Sequence, residues 1–171
     1  MIVRERYMQP IRDFMDKPVV KIITGMRRSG KSGLLELTRQ ELLARSVNGQ
    51  NIIFINFESL RYEALRNYQT LYAEIADRAK QAQGRLYILL DEIQEVDGWE
   101  RVVNSLRVDF DCDLYVTGSN ARLLSGELAT LLAGRYVEIR VYPLDFKEYL
   151  DFAAGNEVEA KLTRQEQFSH F

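Results

Sequence analysis

Eight consecutive residues, Gly25-Met26-Arg27-Arg28-Ser29-Gly30-Lys31-Ser32, have the types and spacing needed to hold a triphosphate: G-x-x-x-x-G-K-S. Such a loop turns so that successive backbone N–H groups converge on an anion, and glycines tolerate the backbone angles that the turn demands. Met26, Arg27, Arg28 and Ser29 supply amides to this nest, and the two arginine side chains project outward. Lys31 places a point charge on the β- and γ-phosphates, and the Ser32 hydroxyl is offered to Mg²⁺. Gly33 continues into a helix whose N-terminal dipole favours the same negative charge.

Sixty residues beyond Lys31, the run Leu86-Tyr87-Ile88-Leu89-Leu90 ends in Asp91-Glu92. Ligands of parallel sheets lie outside the C-terminal ends of the strands, so these carboxylates are expected beside the phosphate loop. Asp91 is the candidate for Mg²⁺, and Glu92 is the candidate to orient and polarise a water for attack on the γ-phosphate. Asn56 ends another apolar run and either restrains Glu92 or simply forms a turn. Thr117-Gly118-Ser119-Asn120 ends a fourth run. Its polar groups, Ser119 and Asn120 above all, are candidates to meet the γ-phosphate or the attacking water, and either residue also suits a helix N-cap near Ala121. Arg135 and Arg122 are candidates to neutralise transition-state charge, with an ordinary surface role as the alternative. Trp99 reads as a packing aromatic, and His170 has no neighbours that would make it a metal ligand.

These groups need a scaffold that presents them at one edge. Val19 to Thr24, Asn51 to Phe57, Arg85 to Asp91, Cys112 to Thr117 and Arg135 to Val141 read as strands, and the continuous apolar runs suit a sheet covered on both faces. Helical spacing occurs at Arg4–Asp16, Lys31–Ser46, Tyr68–Gln83, Trp99–Phe110 and Ala121–Ala133. The first has Tyr7, Ile11, Phe14 and Met15 on its inner face; the second has Leu34, Leu35, Leu37, Leu42 and Leu43. Alternating strands and helices predict an α/β domain with a mainly parallel sheet.

Composition sets the outer bounds. The chain has 171 residues with a net charge of −2, 46% hydrophobic and 28% charged. Those values suit one globular domain and give no overall field to attract nucleic acid. The longest apolar run is too short to span a membrane. The lone Cys112 excludes an internal disulfide and points to a reducing cytoplasmic setting.

Five ordered motifs give the chain a resemblance. Met26 to Ser32, Leu90-Asp91-Glu92-Ile93-Gln94 with Gly98-Trp99-Glu100, and Thr117-Gly118-Ser119-Asn120-Ala121 are three of them; Leu128 to Tyr136 and Pro143 to Leu150 complete the set. Together, over about residues 1–168, they resemble the prokaryotic AAA-type P-loop ATPases, related to the AAA+ and STAND groups, that carry a C-terminal domain of unknown function. The resemblance implies a three-layer fold with a five-stranded sheet in the order 5-1-4-3-2. It implies Walker A roles for Lys31 and Ser32, Walker B roles for Asp91 and Glu92, and a sensor role for the Ser119/Asn120 loop. It also implies a place for Gly134-Arg135 at the nucleotide site or a subunit contact, and adenine as the base. On this reading residues 1–143 form the ATPase core with its N-terminal helix, and 144–171 form a helical extension leading to a C-terminal domain.

The expected activity is Mg²⁺-assisted hydrolysis of ATP, with a conformational output to a protein partner or that C-terminal domain, in a monomer or an oligomer. The alternatives are a nucleotide-dependent switch with negligible turnover, a small-molecule kinase and a nucleic-acid motor.

Overall fold

The computed structural model describes residues 3–119, 134–146 and 148–150. Among them, β1 (Val20–Gly25), β2 (Ile52–Asn56), β3 (Leu86–Asp91), β4 (Cys112–Gly118) and β5 (Tyr136–Val141) form one sheet in the order β2-β3-β4-β1-β5. Every pairing is parallel. This is the 5-1-4-3-2 order, and the fold is an α/β three-layer P-loop fold. Among the described residues, four α-helices cover the sheet: α1 (Glu5–Phe14), α2 (Lys31–Ala44), α3 (Tyr68–Ala79) and α4 (Trp99–Asp109).

The strands are apolar throughout because both faces are covered. In β3, Leu86, Ile88 and Leu90 pack with α3 and α4, whereas Tyr87 and Leu89 pack with α1 and α2. In β4, Leu114 and Val116 face the first layer and Tyr115 the second. Two cores of this kind remove almost all of the sheet from water, which is the main favourable term in folding. Trp99 is buried in the α3/α4 core, as a packing aromatic should be.

Helix faces differ in detail from the sequence expectation. In α1 the buried set is Tyr7, Met8 and Ile11, with Met15 just beyond its end and Phe14 only half-buried. In α2, Leu34, Leu35 and Leu42 are buried, but Leu43 is 41% exposed. At about 100° per residue, Leu42 returns to the azimuth of Leu35 and Leu43 turns away from the sheet. Helix α3 stops at Ala79 rather than near Gln83, and short 3₁₀ turns at Leu60–Leu65 and Ile93–Glu95 follow β2 and β3.

Near the N-terminal edge of the sheet lies a closed polar network. Lys21, fully buried, donates to Asp113 and to the Lys17 carbonyl, and its ammonium lies 5.3 Å from the Tyr115 ring centroid. Asp113 also accepts from the Tyr115 hydroxyl at 2.7 Å and from the Asp16 N–H at 2.8 Å. Tyr87 donates to Asp16 at 2.7 Å, and Arg85 donates to the Asp16 carbonyl at 2.7 Å. The end of α1 is thereby pinned under β1, β3 and β4.

Candidate nucleotide-binding site

The phosphate loop leaves β1 at Gly25. A Cβ there would lie 2.4 Å from the Val141 carbonyl oxygen and 2.7 Å from Ser29 Oγ, so the approach of β5 admits only glycine. Arg28 and Gly30 both take positive φ, 64° and 96°, and Gly30 is the residue at which α2 begins. A chain that alternates into the left-handed region turns its amides inward, and the loop ends on a helix N-terminus. Arg27 and Arg28 are exposed, as expected of side chains outside a backbone nest. Lys31 is almost wholly buried; its ammonium donates to the Met26 carbonyl at 3.2 Å and pairs with Glu92 Oε1 at 3.3 Å.

Asp91 and Glu92 arrive beside this loop at the end of β3. Asp91 is fully buried, and the Thr117 hydroxyl of neighbouring β4 donates to its Oδ1. The same hydroxyl accepts from the Glu92 N–H at 2.9 Å. Glu92 itself sits at φ 54°, a left-handed conformation that turns its side chain back over the loop. Asp91 Oδ2 is buried and has no hydrogen-bond donor among the described residues. Burial pushes the Asp91 carboxyl above the usual carboxylate range, against the pull of the Thr117 and Ser32 hydroxyls. A buried carboxylate oxygen without a donor, beside a serine hydroxyl, is a donor set that a hard divalent cation satisfies. Ser32 and Asp91 therefore fit Mg²⁺.

A cleft of about 450 Å³ opens over these groups, lined by Arg27, Lys31, Phe57, Glu58, Arg66, Glu92, Gln94, Glu95 and Ser119. Ser119 is thus on the expected edge; Asn120, Arg122, the expected helix over 121–133 and the segment 151–171 with His170 lie outside the described residues. Three expectations need correction. Asn56 does not restrain Glu92: its Oδ1 accepts from the Glu58 N–H at 2.8 Å and shapes a turn. The restraint comes from Lys31 and from Gln94, whose amide donates to Glu92 Oε2 while its own Oε1 is buried without a partner. Thr117 is committed to Asp91 and Glu92, so its hydroxyl is not presented to a phosphate.

Arg135 is the third correction. Parallel register pairs Gly25 with Val141 and Val20 with Tyr136, so Arg135 lies at the far end of β5 from the loop. Six residues of strand separate the two ends, about 20 Å at 3.3 Å per residue. Arg135 is exposed there and cannot reach the nucleotide site of its own chain. The residues that the sequence reading missed are Gln94, Arg66 and Arg4. Arg66 donates to the Phe57 carbonyl at 2.9 Å on the cleft wall. Arg4, from the start of α1, donates to the Ser29 carbonyl of the phosphate loop at 2.8 Å.

Residues 17–150 match the model of a family described as an AAA domain. The chain belongs to this family. An uncharacterized protein of Haemophilus influenzae is 50% identical over 150 residues, which cover 88% of this chain and 38% of the relative. An uncharacterized protein of Methanocaldococcus jannaschii is 34% identical over 137 residues, covering 80% of this chain and 29% of that protein. The chain therefore spans about a third of the length of these relatives.

Among solved structures, AMPPCP-bound DnaA from Aquifex aeolicus superposes with a TM-score of 0.54 at 16% identity, covering 95% of this chain and 54% of its own. A DNA polymerase III gamma subunit-related protein from Thermotoga maritima gives 0.57 at 13% identity, covering 94% and 54%. These two likenesses establish the fold alone. The role rests on the family, which makes this chain an AAA-type, nucleotide-binding module. No helix among the described residues is long and apolar enough to cross a membrane.

Proposed function

We propose that this AAA domain binds ATP with Mg²⁺ and hydrolyses it to ADP and phosphate. The observation that carries the reading is the buried Oδ2 of Asp91 beside Ser32, without a donor among the described residues, next to a loop whose buried Lys31 contacts a carbonyl and Glu92. The amides of residues 25–33 cradle the β-phosphate, and Lys31 exchanges Glu92 for the β- and γ-phosphates. Ser32 and Asp91 would hold Mg²⁺, which when bound would neutralise charge on the phosphate oxygens. Glu92, freed from Lys31, accepts a proton from the attacking water, and Ser119 with Asn120 meets the γ-phosphate. The released strain at the loop passes to a protein partner or to a C-terminal domain reached through residues 144–171. The coverage of only about a third of the relatives' length supports that continuation.

Calorimetry with ATP and Mg²⁺ tests the reading. The wild-type chain is expected to bind, and Lys31→Ala to lose about a hundredfold in affinity, as expected when one member of a buried charge contact is removed. Equal affinity in the two would sink the reading. A second reading, a switch that binds ATP and barely turns it over, is favoured by the double restraint on Glu92 by Lys31 and Gln94. Single-turnover hydrolysis separates the two: Glu92→Gln should bind ATP normally and abolish cleavage in an ATPase, and should change nothing measurable in a switch.

A further inference from the structure

Arg4 is buried to 7% exposure, yet belongs to neither core and none of the motifs. Its guanidinium joins three segments far apart in the chain. Nη1 donates to the Ser29 carbonyl at 2.8 Å, and Nη2 donates to the Tyr142 carbonyl at 3.0 Å, just after β5. Nε and Nη2 grip the two carboxylate oxygens of Glu148 at 3.0 and 2.8 Å, a bidentate pair. The Tyr7 ring lies under the guanidinium at 4.5 Å, and the Tyr7 hydroxyl accepts from the Tyr142 N–H at 3.1 Å. Glu148 is held in turn: its Oε2 accepts from the Asp145 N–H, and Asp145 Oδ1 accepts from the Glu148 N–H at 2.8 Å, capping a helical turn. The Arg4 guanidinium keeps the Glu148 carboxyl below the usual carboxylate range.

We propose that Arg4 is a positioning residue for the phosphate loop, and that through Glu148 it makes nucleotide affinity depend on how the segment after β5 is docked. The reason lies in the planar trans peptide between Ser29 and Gly30. Its C=O and N–H point in opposite directions, so a donor fixed on the Ser29 carbonyl aims the Gly30 N–H the other way, into the nest. Glu148 fixes the donor. Undocking of residues 142–148 releases Arg4, lets this peptide rotate, and removes an amide from the anion site. The link runs both ways, because a ligand that needs the aligned peptide also favours the docked segment. Chain continuing past residue 150 would pull on the nucleotide loop through one arginine.

This inference rests on the ATP-binding reading, and a double-mutant cycle on the 171-residue chain tests it. ATP affinity with Mg²⁺ is measured by calorimetry for wild type, Glu148→Gln, Arg4→Gln and the double variant, well below each thermal midpoint. Glu148→Gln, at a partly exposed carboxylate remote from any phosphate, is expected to weaken binding about fivefold, and Arg4→Gln about tenfold or more. The double variant should be no weaker than Arg4→Gln alone, and Arg4→Lys, which keeps the charge but not the fork, should fall between. If Arg4→Gln does not fold, Glu148→Gln and Arg4→Lys still decide. Wild-type affinity in Glu148→Gln with only a lowered midpoint makes the contact merely structural and overturns the coupling alone. Additive losses overturn it as well. A wild-type chain that binds no ATP overturns the functional reading and the coupling together.

Discussion

The two edges of the sheet treat buried polar groups in opposite ways. Toward the N-terminal edge, Lys21, Asp113, Tyr115, Asp16 and Tyr87 form a network in which each group has its partners. At the C-terminal edge, Asp91 Oδ2, Gln94 Oε1 and Ser29 Oγ are buried without any among the described residues. Non-glycine residues at positive φ occur at both edges, Arg28 and Glu92 at this one and Asp16 at the other. An unmade buried hydrogen bond costs about 1–3 kcal/mol, which a ligand supplying the missing partner would recover. The first network closes on itself, whereas the unmet groups of the second lie beside the proposed nucleotide site.

The sharpest way to break this comparison is to remove one charge from each edge. Lys21→Met leaves the Asp113 carboxylate buried without its cation and should cost about 3–5 kcal/mol in urea unfolding, with ATP affinity per folded molecule unchanged. Asp91→Asn should behave oppositely. Burial raises the Asp91 pKa in the fold, so the protonated form is favoured there. The associated stability is present below the ordinary carboxylate pKa and is lost as pH rises through the raised value. At pH 7 the neutral amide should therefore leave the apo chain as stable as wild type or about 1 kcal/mol more so, while Mg²⁺-dependent ATP binding is lost. Two losses of similar size would erase the distinction.

Cys112 supplies a chemical test on the closed edge. Burial pushes its thiol up to about 12, with the Asp113 and Asp111 carboxylates adding to the effect. At pH 8 the thiolate fraction is then about three orders of magnitude below that of a free cysteine. Iodoacetamide labelling should be correspondingly slow in the native chain and fast in urea. Native labelling as fast as in urea would show that burial does not hold the thiol up.

A smaller effect is expected at Gln94. Its amide holds Glu92 Oε2, so Gln94→Ala should raise single-turnover hydrolysis about tenfold, the low end of the roughly 1.5–3 kcal/mol of a hydrogen bond to a charged group. Affinity for ATP should stay the same. An unchanged or lower rate would mean that Gln94 assists the water rather than restraining the carboxylate.

Much of this was legible in the chain itself, for reasons of periodicity. The run Leu86 to Leu90 had to be a strand covered on both faces, and its terminal carboxylates had to reach the phosphate loop once the sheet was parallel. The spacing of Gly25, Gly30, Lys31 and Ser32 is local, so its meaning needed no fold. Asn56, Thr117 and Arg135 were harder. A polar residue at a strand end can serve a turn, a neighbouring strand or a ligand, and the choice rests on side-chain direction. Arg135 in particular follows a glycine, as site residues often do, but the parallel register of β5 with β1 carries it to the other edge.

The sequence reading assigned no role to Arg4 or Gln94, although Gln94 stands in one of its motifs. Arg4 lies 25 and 144 residues from the Ser29 and Glu148 it joins, and no local pattern marks such a bridge. Gln94 is one polar residue in a polar turn until Glu92 bends back at φ 54° to meet it.

What the sequence alone determined was the chemistry on offer: a loop for phosphate, a hydroxyl and a carboxylate for a cation, a second carboxylate for water. These follow from residue type and short spacing. The tertiary structure decided which of them are free and which are held. It spent Thr117 on the two carboxylates, tied Glu92 to Lys31 and Gln94, and hung the phosphate loop from Arg4. Those outcomes depend on contacts between segments distant in the chain, and only the packed sheet with its helices brings such segments within hydrogen-bond reach.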